Sequence, residues 1–195
     1  LVILISVTLH GCYSYRGGAV PHVDASTGAV GQPERVVVLT MRAESNTGGD
    51  ADLRRMLERQ LTTALRNAGA DVRQSGGAAN PDFTLDVALD ARGSRAGQIA
   101  SGLLSGATFL VIPGYAGLEV SLKGKAIDRG GQVREYGYAD TYSLWIQLFL
   151  LPLTNSPDEV MEDLIGDMAR SLTRDLQRAG VLPNPPTGAA VSSLP

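Results

Sequence analysis

Apolar residues recur along this chain with three periods, and each predicts a different element. Continuous runs come first: Leu1 to Leu9 is apolar throughout except for Ser6 and Thr8, and Val36-Val37-Val38-Leu39 is short and β-branched. The second run predicts a strand buried on both faces or in a sheet centre. Strict alternation marks Asp82 to Asp90, with Phe83, Leu85, Val87 and Leu89 on one face and Thr84, Asp86, Ala88 and Asp90 on the other; this predicts a half-buried strand. A second alternating stretch sets Leu118, Val120 and Leu122 against Glu119, Ser121 and Lys123. Asp128-Arg129-Gly130-Gly131 then supplies a turn, and Val133 to Leu144 runs back with Tyr136, Tyr138, Tyr142 and Leu144 on a common side. That is a β-hairpin pattern. Asp71-Val72-Arg73 adds a short strand.

The third period is helical. Leu53, Met56, Leu57, Leu61, Ala64 and Leu65 form one stripe of a helix from about Asp50 to Ala68, opposite a solvated face of Arg54, Arg55, Glu58, Arg59 and Arg66. Gly69 is placed to end it in a left-handed conformation. A second helix runs from Pro157 to about Ala179 with Val160, Leu164, Met168, Leu172 and Leu176 as its stripe. Its start combines the N-cap Ser156, proline at the first helical position and acids in the first turn. The order of elements predicts an α+β two-layer sandwich: a mixed, mostly antiparallel sheet with two amphipathic helices on one face. The folded domain spans residues 34–182, and residues 183–195 form a disordered tail.

The first apolar run ends in Leu9-His10-Gly11-Cys12, which contains the chain's one cysteine. About ten apolar residues are too few to span a bilayer, which takes roughly 20, and suit the h-region of a secretory signal. The pattern resembles the lipobox of bacterial lipoproteins, Leu-x-Gly-Cys, although His10 stands where Ala, Ser or Thr is usual. No Met or basic n-region precedes it, as expected of a signal truncated at its start. The resemblance implies that residues 1–11 are a signal peptide. It implies that Cys12 carries a covalent diacylglycerol and an acyl chain, palmitate being the usual one. Tyr13, rather than Asp, follows the cysteine, which by family analogy implies the periplasmic face of the outer membrane. Residues 12–33 read as a lipidated cysteine and flexible tether, rich in Gly, Pro, Ser and Thr. A buried free cysteine at the end of a core strand is the competing structural account.

Two further apolar segments exceed what a small sheet needs. Ile99 to Gly117 has no charged residue, and Leu144 to Leu153 contains the one tryptophan, Trp145. Each is either core or a surface that meets lipid or protein. Leu104, Phe109, Ile112, Trp145, Leu148 and Phe149 are the candidate partner or lipid contacts. The succession Ser101-Gly102-Leu103-Leu104-Ser105-Gly106, Ile112-Pro113-Gly114, the tyrosine-rich hairpin and Trp145 to Pro152 resembles a group of proteobacterial outer-membrane lipoproteins, from which no activity carries over. The Cys-Tyr-x-Tyr-x-Gly start followed by strand, helix and hairpins is more remotely similar to lipopolysaccharide-assembly lipoproteins and other α/β periplasmic lipoproteins.

Composition narrows the chemistry. A hydrophobic content of 44% suffices for one core, and a net charge of -3 argues against a nucleic-acid-binding face. One cysteine permits no intrachain disulfide, and His10 and His22 are the only histidines, leaving little material for a metal site or a catalytic base. Asp86 and Asp90 share the outer face of a strand without a histidine nearby and read as solvated. No catalytic motif is present, so no catalytic residue, metal or cofactor is expected beyond the lipid on Cys12. The expected function is a lipid-anchored, non-enzymatic accessory or assembly subunit of a cell-envelope complex, the alternative being a lipid or glycolipid carrier. Its expected partners are the membrane and an envelope protein, with homo-oligomerisation open.

Overall fold

The computed structural model describes residues 11–23, 35–46, 48–74, 80–93, 114–147 and 157–183. Their elements run β1 (Gly11–Arg16), β2 (Arg35–Ser45), α1 (Asp50–Asn67), β3 (Ala70–Gln74), β4 (Phe83–Gly93), β5 (Gly114–Asp128), β6 (Val133–Gln147) and α2 (Pro157–Arg178). One six-stranded sheet has the order β1-β6-β5-β4-β2-β3. The pairs β1–β6, β6–β5 and β5–β4 are antiparallel, whereas β2 pairs in parallel with both β4 and β3. The mixed, mostly antiparallel sheet and the two described helices agree with the α+β sandwich that the periodicity predicts.

Alternation places the core. Phe83, Leu85, Val87, Leu89 and Ala91 of β4 face the helices with Val120, Leu122 and Ala126 of β5, all nearly inaccessible. Leu57, Leu61 and Leu65 of α1 and Leu164, Ile165, Met168, Leu172 and Leu176 of α2 close over them. The run Val36 to Leu39 departs from its expected burial on both faces: Val37 and Leu39 are buried, but Val36 and Val38 are only half-buried. No described helix covers that side of the sheet. Both helices end as their glycines predict, with Gly69 at φ 81° and Gly180 at φ 70°. The positive φ lets the chain turn back so that the Val181 N–H reaches the Leu176 carbonyl at 2.9 Å.

The arginine face of α1 is solvated and ion-paired, with Arg55 to Asp52 and Arg59 to Glu162. Tyr136, Tyr138 and Tyr142 lie on the helix side of β6, while Tyr115 stands on the opposite face of the sheet. They therefore cap the two faces rather than line one groove. Burial, followed by the hydrogen bond to Asp175 at 2.7 Å, pushes the Tyr138 phenol well above its usual range.

The largest departure from expectation is at the N-terminal end. Residues 12–33 read as a flexible tether, but Gly11–Arg16 is a strand paired with residues 142–147 of β6. Residues 17–23 continue as a strap laid on the body, with Val20 and Val23 buried. The Ser156 cap and the tail from residue 184 lie outside the described residues.

Candidate functional site

The strap is held by charge at its buried end. Asp167 of α2 and Asp140 of β6 have fully inaccessible side chains, and Arg16 and Arg170 stand beside them. Asp167 Oδ1 accepts from Arg170 at 2.6 Å and from the Val23 N–H at 3.0 Å, while Oδ2 accepts from Arg16 and lies 3.1 Å from His22 Nδ1. Asp140 accepts the Val20 N–H at 3.1 Å and the Thr141 N–H at 2.7 Å, with Arg16 3.7 Å away. The Gly17 N–H bonds the Thr141 carbonyl at 2.8 Å. Two carboxylates and two guanidinium groups balance, and the backbone of the strap uses the remaining acceptor capacity. Buried charge is tolerated only when it is paired and hydrogen-bonded in this way.

Burial alone would raise the Asp167 carboxyl; the Val23 N–H, Arg16, Arg170 and His22 outweigh it and lower it to about 2. A depressed carboxylate stabilises the fold above its unfolded value of 3.8, and that contribution disappears as pH falls through about 2. Urea unfolding followed at pH 6, 4 and 2 is expected to lose on the order of 2 kcal/mol through this window. Asp167→Asn should flatten that part of the profile.

An open groove of about 490 Å³ borders the clamp, lined by Ser14, Tyr15, Arg16, Gly18, Val20, Pro21, His22, Val160 and Asp163. His22 is 69% exposed at its mouth. A histidine beside a buried carboxylate has the outline of a general base, but here four donors share the two Asp167 oxygens. The arrangement fastens the strap. It also gives Asp140 a structural task, buried at the strap.

The sequence-derived positions divide sharply. Cys12 is the second residue of β1, opposite Ile146, and Trp145 lies in β6 opposite both Tyr13 and Tyr115. Leu104, Phe109, Ile112, Leu148 and Phe149 lie outside the described residues. Asp86 and Asp90 stand on the outer sheet face, where Asp90 pairs with Arg92. No group of three or more potential metal ligands occurs among the described residues. Sequence reasoning missed Arg16, Asp167 and Arg170. The only local signal was the Asp167/Arg170 spacing of three, which any solvated helix can show.

No protein-family model and no curated protein matches the sequence. Solved structures match its fold. A neuraminyllactose-binding hemagglutinin homolog from Helicobacter pylori aligns over 83% of this chain and 94% of its own, at 10% identity and TM-score 0.50. A minor lipoprotein from Acinetobacter baumannii covers 78% and 97% at 17% identity and TM-score 0.41. The PelC dodecamer from Paraburkholderia phytofirmans covers 81% and 96% at 14% identity and TM-score 0.37. Bacterial lipoproteins thus occur among the solved structures that align with this chain, and at 10% identity the likeness to the Helicobacter pylori protein concerns fold alone.

Proposed function

We propose that the chain is a lipid-anchored protein of the bacterial envelope, held through Cys12 at the periplasmic face of the outer membrane, and that it serves as a non-enzymatic accessory or assembly subunit. The observation that carries the anchoring is the position of Cys12 within Leu9-His10-Gly11-Cys12, at the start of β1. Cleavage before Cys12 would remove only Gly11 from β1 and leave the strap and the clamp intact. Several acyl chains, at about 0.8 kcal/mol per buried methylene, hold a protein to a bilayer without help from its fold.

A non-enzymatic role is favoured because the buried acids and His22 are engaged in fastening the strap. Homo-oligomerisation through the apolar segments is compatible with this role. The carrier alternative depends on residues 99–117 and 144–153, most of which lie outside the described residues, and no described feature favours it.

Membrane fractionation of cells expressing the chain from its natural start, with mass spectrometry of the mature N-terminus, tests the anchor. The wild type should sediment with membranes and carry diacylglycerol and acyl mass on Cys12, and Cys12→Ser should move to the soluble fraction. Membrane-bound Cys12→Ser, together with a wild-type N-terminus lacking acyl mass, would refute the proposal. Crosslinking in cells from positions near Phe109 and Trp145 should capture a stoichiometric protein for a subunit and lipid for a carrier.

A further inference from the structure

The sheet has an uncharged corner. Residues 11–15 of β1, 114–118 of β5 and 141–147 of β6 contain no Asp, Glu, Lys or Arg, and charge returns only at Arg16, Glu119 and Asp140. Register brings these segments together: Tyr13 pairs with Trp145, which pairs with Tyr115, while Tyr15 pairs with Ser143, which pairs with Gly117. Since Ser14 and Tyr142 are buried toward the helices, positions 13, 15, 115 and 145 share the sheet face that no described helix covers.

The described tyrosines on that face are exposed, Tyr15 at 41% and Tyr115 at 43%. Tyr115 lies along the sheet: a Cβ at Gly117 would come within 2.5 Å of its hydroxyl, which is 3.4 Å from Ser143 Oγ. Ser143 is only 6% exposed even though it sits on the face that no described helix covers. Two exposed tyrosines beside an uncharged stretch of sheet have the chemistry of the membrane–water boundary, where amphipathic rings concentrate.

Chain connectivity identifies the occupant. The uncharged segment 99–113 enters the sheet at Gly114, and the apolar segment 148–153 leaves it at Gln147, both beside Cys12. Neighbouring strands are about 4.8 Å apart, so the row from Tyr13 through Trp145 to Tyr115 begins one residue from Cys12 and reaches only about 10 Å across the sheet. With Cys12 itself a residue of β1, only one step along the strand separates the lipidated position from Tyr13 on this face.

We infer that this corner rests on the bilayer holding the lipid of Cys12, with Tyr15 and Tyr115 at headgroup depth. The contact rests on the proposed lipidation, and its test separates the two. Full-length lipidated protein is reconstituted in vesicles of phosphatidylethanolamine and phosphatidylglycerol containing lipids brominated high on the acyl chain, and emission of Trp145, the natural reporter, is read. Loss of most of that emission is expected. A Trp145→Phe, Val133→Trp variant moves the reporter to the far end of β6, about 40 Å away, and should keep its emission. Replacing the exposed pair by Tyr15→Ser and Tyr115→Ser should weaken the quenching of Trp145. Acylated protein with unquenched Trp145, equal quenching at position 133, or quenching indifferent to the tyrosine pair would overturn the contact while leaving the anchor standing. A mature N-terminus without acyl mass would overturn both.

Discussion

Asp167→Ala is expected to lower the unfolding free energy by about 3–5 kcal/mol, the usual effect of deleting one partner from a buried charge network. Two guanidinium groups would lose their nearest anion, and the Val23 N–H would remain buried without its acceptor. Asp140 compensates only in part, since it lies 3.7 Å from Arg16 and already holds the Val20 and Thr141 N–H groups. The damage should be local before it is global. Hydrogen exchange at Val20 and Val23 should accelerate at denaturant concentrations where β4 and β5 stay protected. Asp167→Asn keeps the shape and one acceptor and should fall between wild type and alanine. An unchanged urea midpoint for Asp167→Ala would show that the clamp adds nothing to stability.

The second large effect is expected where α2 meets β5. Leu172 is fully buried, and its methyl groups occupy the space over Gly124, where a Cβ would lie 3.0 Å from Cδ1 and 3.2 Å from Cδ2. Leu172→Ala should cost about 2–5 kcal/mol through lost burial and the cavity left behind. Gly124→Ala alone presses on Leu172 and should cost about 1–3 kcal/mol, as overpacking does. Together the two changes relieve each other, because the added methyl enters the vacated space. Thermal or urea unfolding of the four proteins should therefore show a double variant less destabilised than the sum of the singles. Strict additivity would mean that the two residues do not share this space.

Elements with an apolar inward face could be read directly from the sequence. β4 shows it residue by residue from Phe83 to Leu89, and α2 does so along Val160, Leu164, Met168, Leu172 and Leu176. β1 escaped because its inward positions include Ser14 and Arg16, so its apolar alternation points away from the core. The strap escaped for a related reason. Its stability comes from acids that lie more than a hundred residues away and, as isolated letters on a helix and a strand, look solvated. Burial of Asp140 and Asp167 depends on tertiary placement, which hydrophobic periodicity does not encode. The same limit applies to the aromatic corner, whose uncharged character emerges only when strand register brings three separate segments together.

The pairing of Gly11–Arg16 with residues 142–147 also sets an order of events. Such contacts join segments far apart in the sequence, so their closure entropy cannot be recovered until the intervening strands exist. β4, β5 and β6 can assemble from sequence neighbours, whereas β1 has no template before β6 is complete. For a chain that crosses a membrane from its N-terminus, the anchored residue would wait, unpaired, for the last strand to arrive. If the chain is exported as proposed, docking of the strap would record that export is complete, because a polypeptide stalled before residue 147 would keep its first residues open to chaperones and proteases.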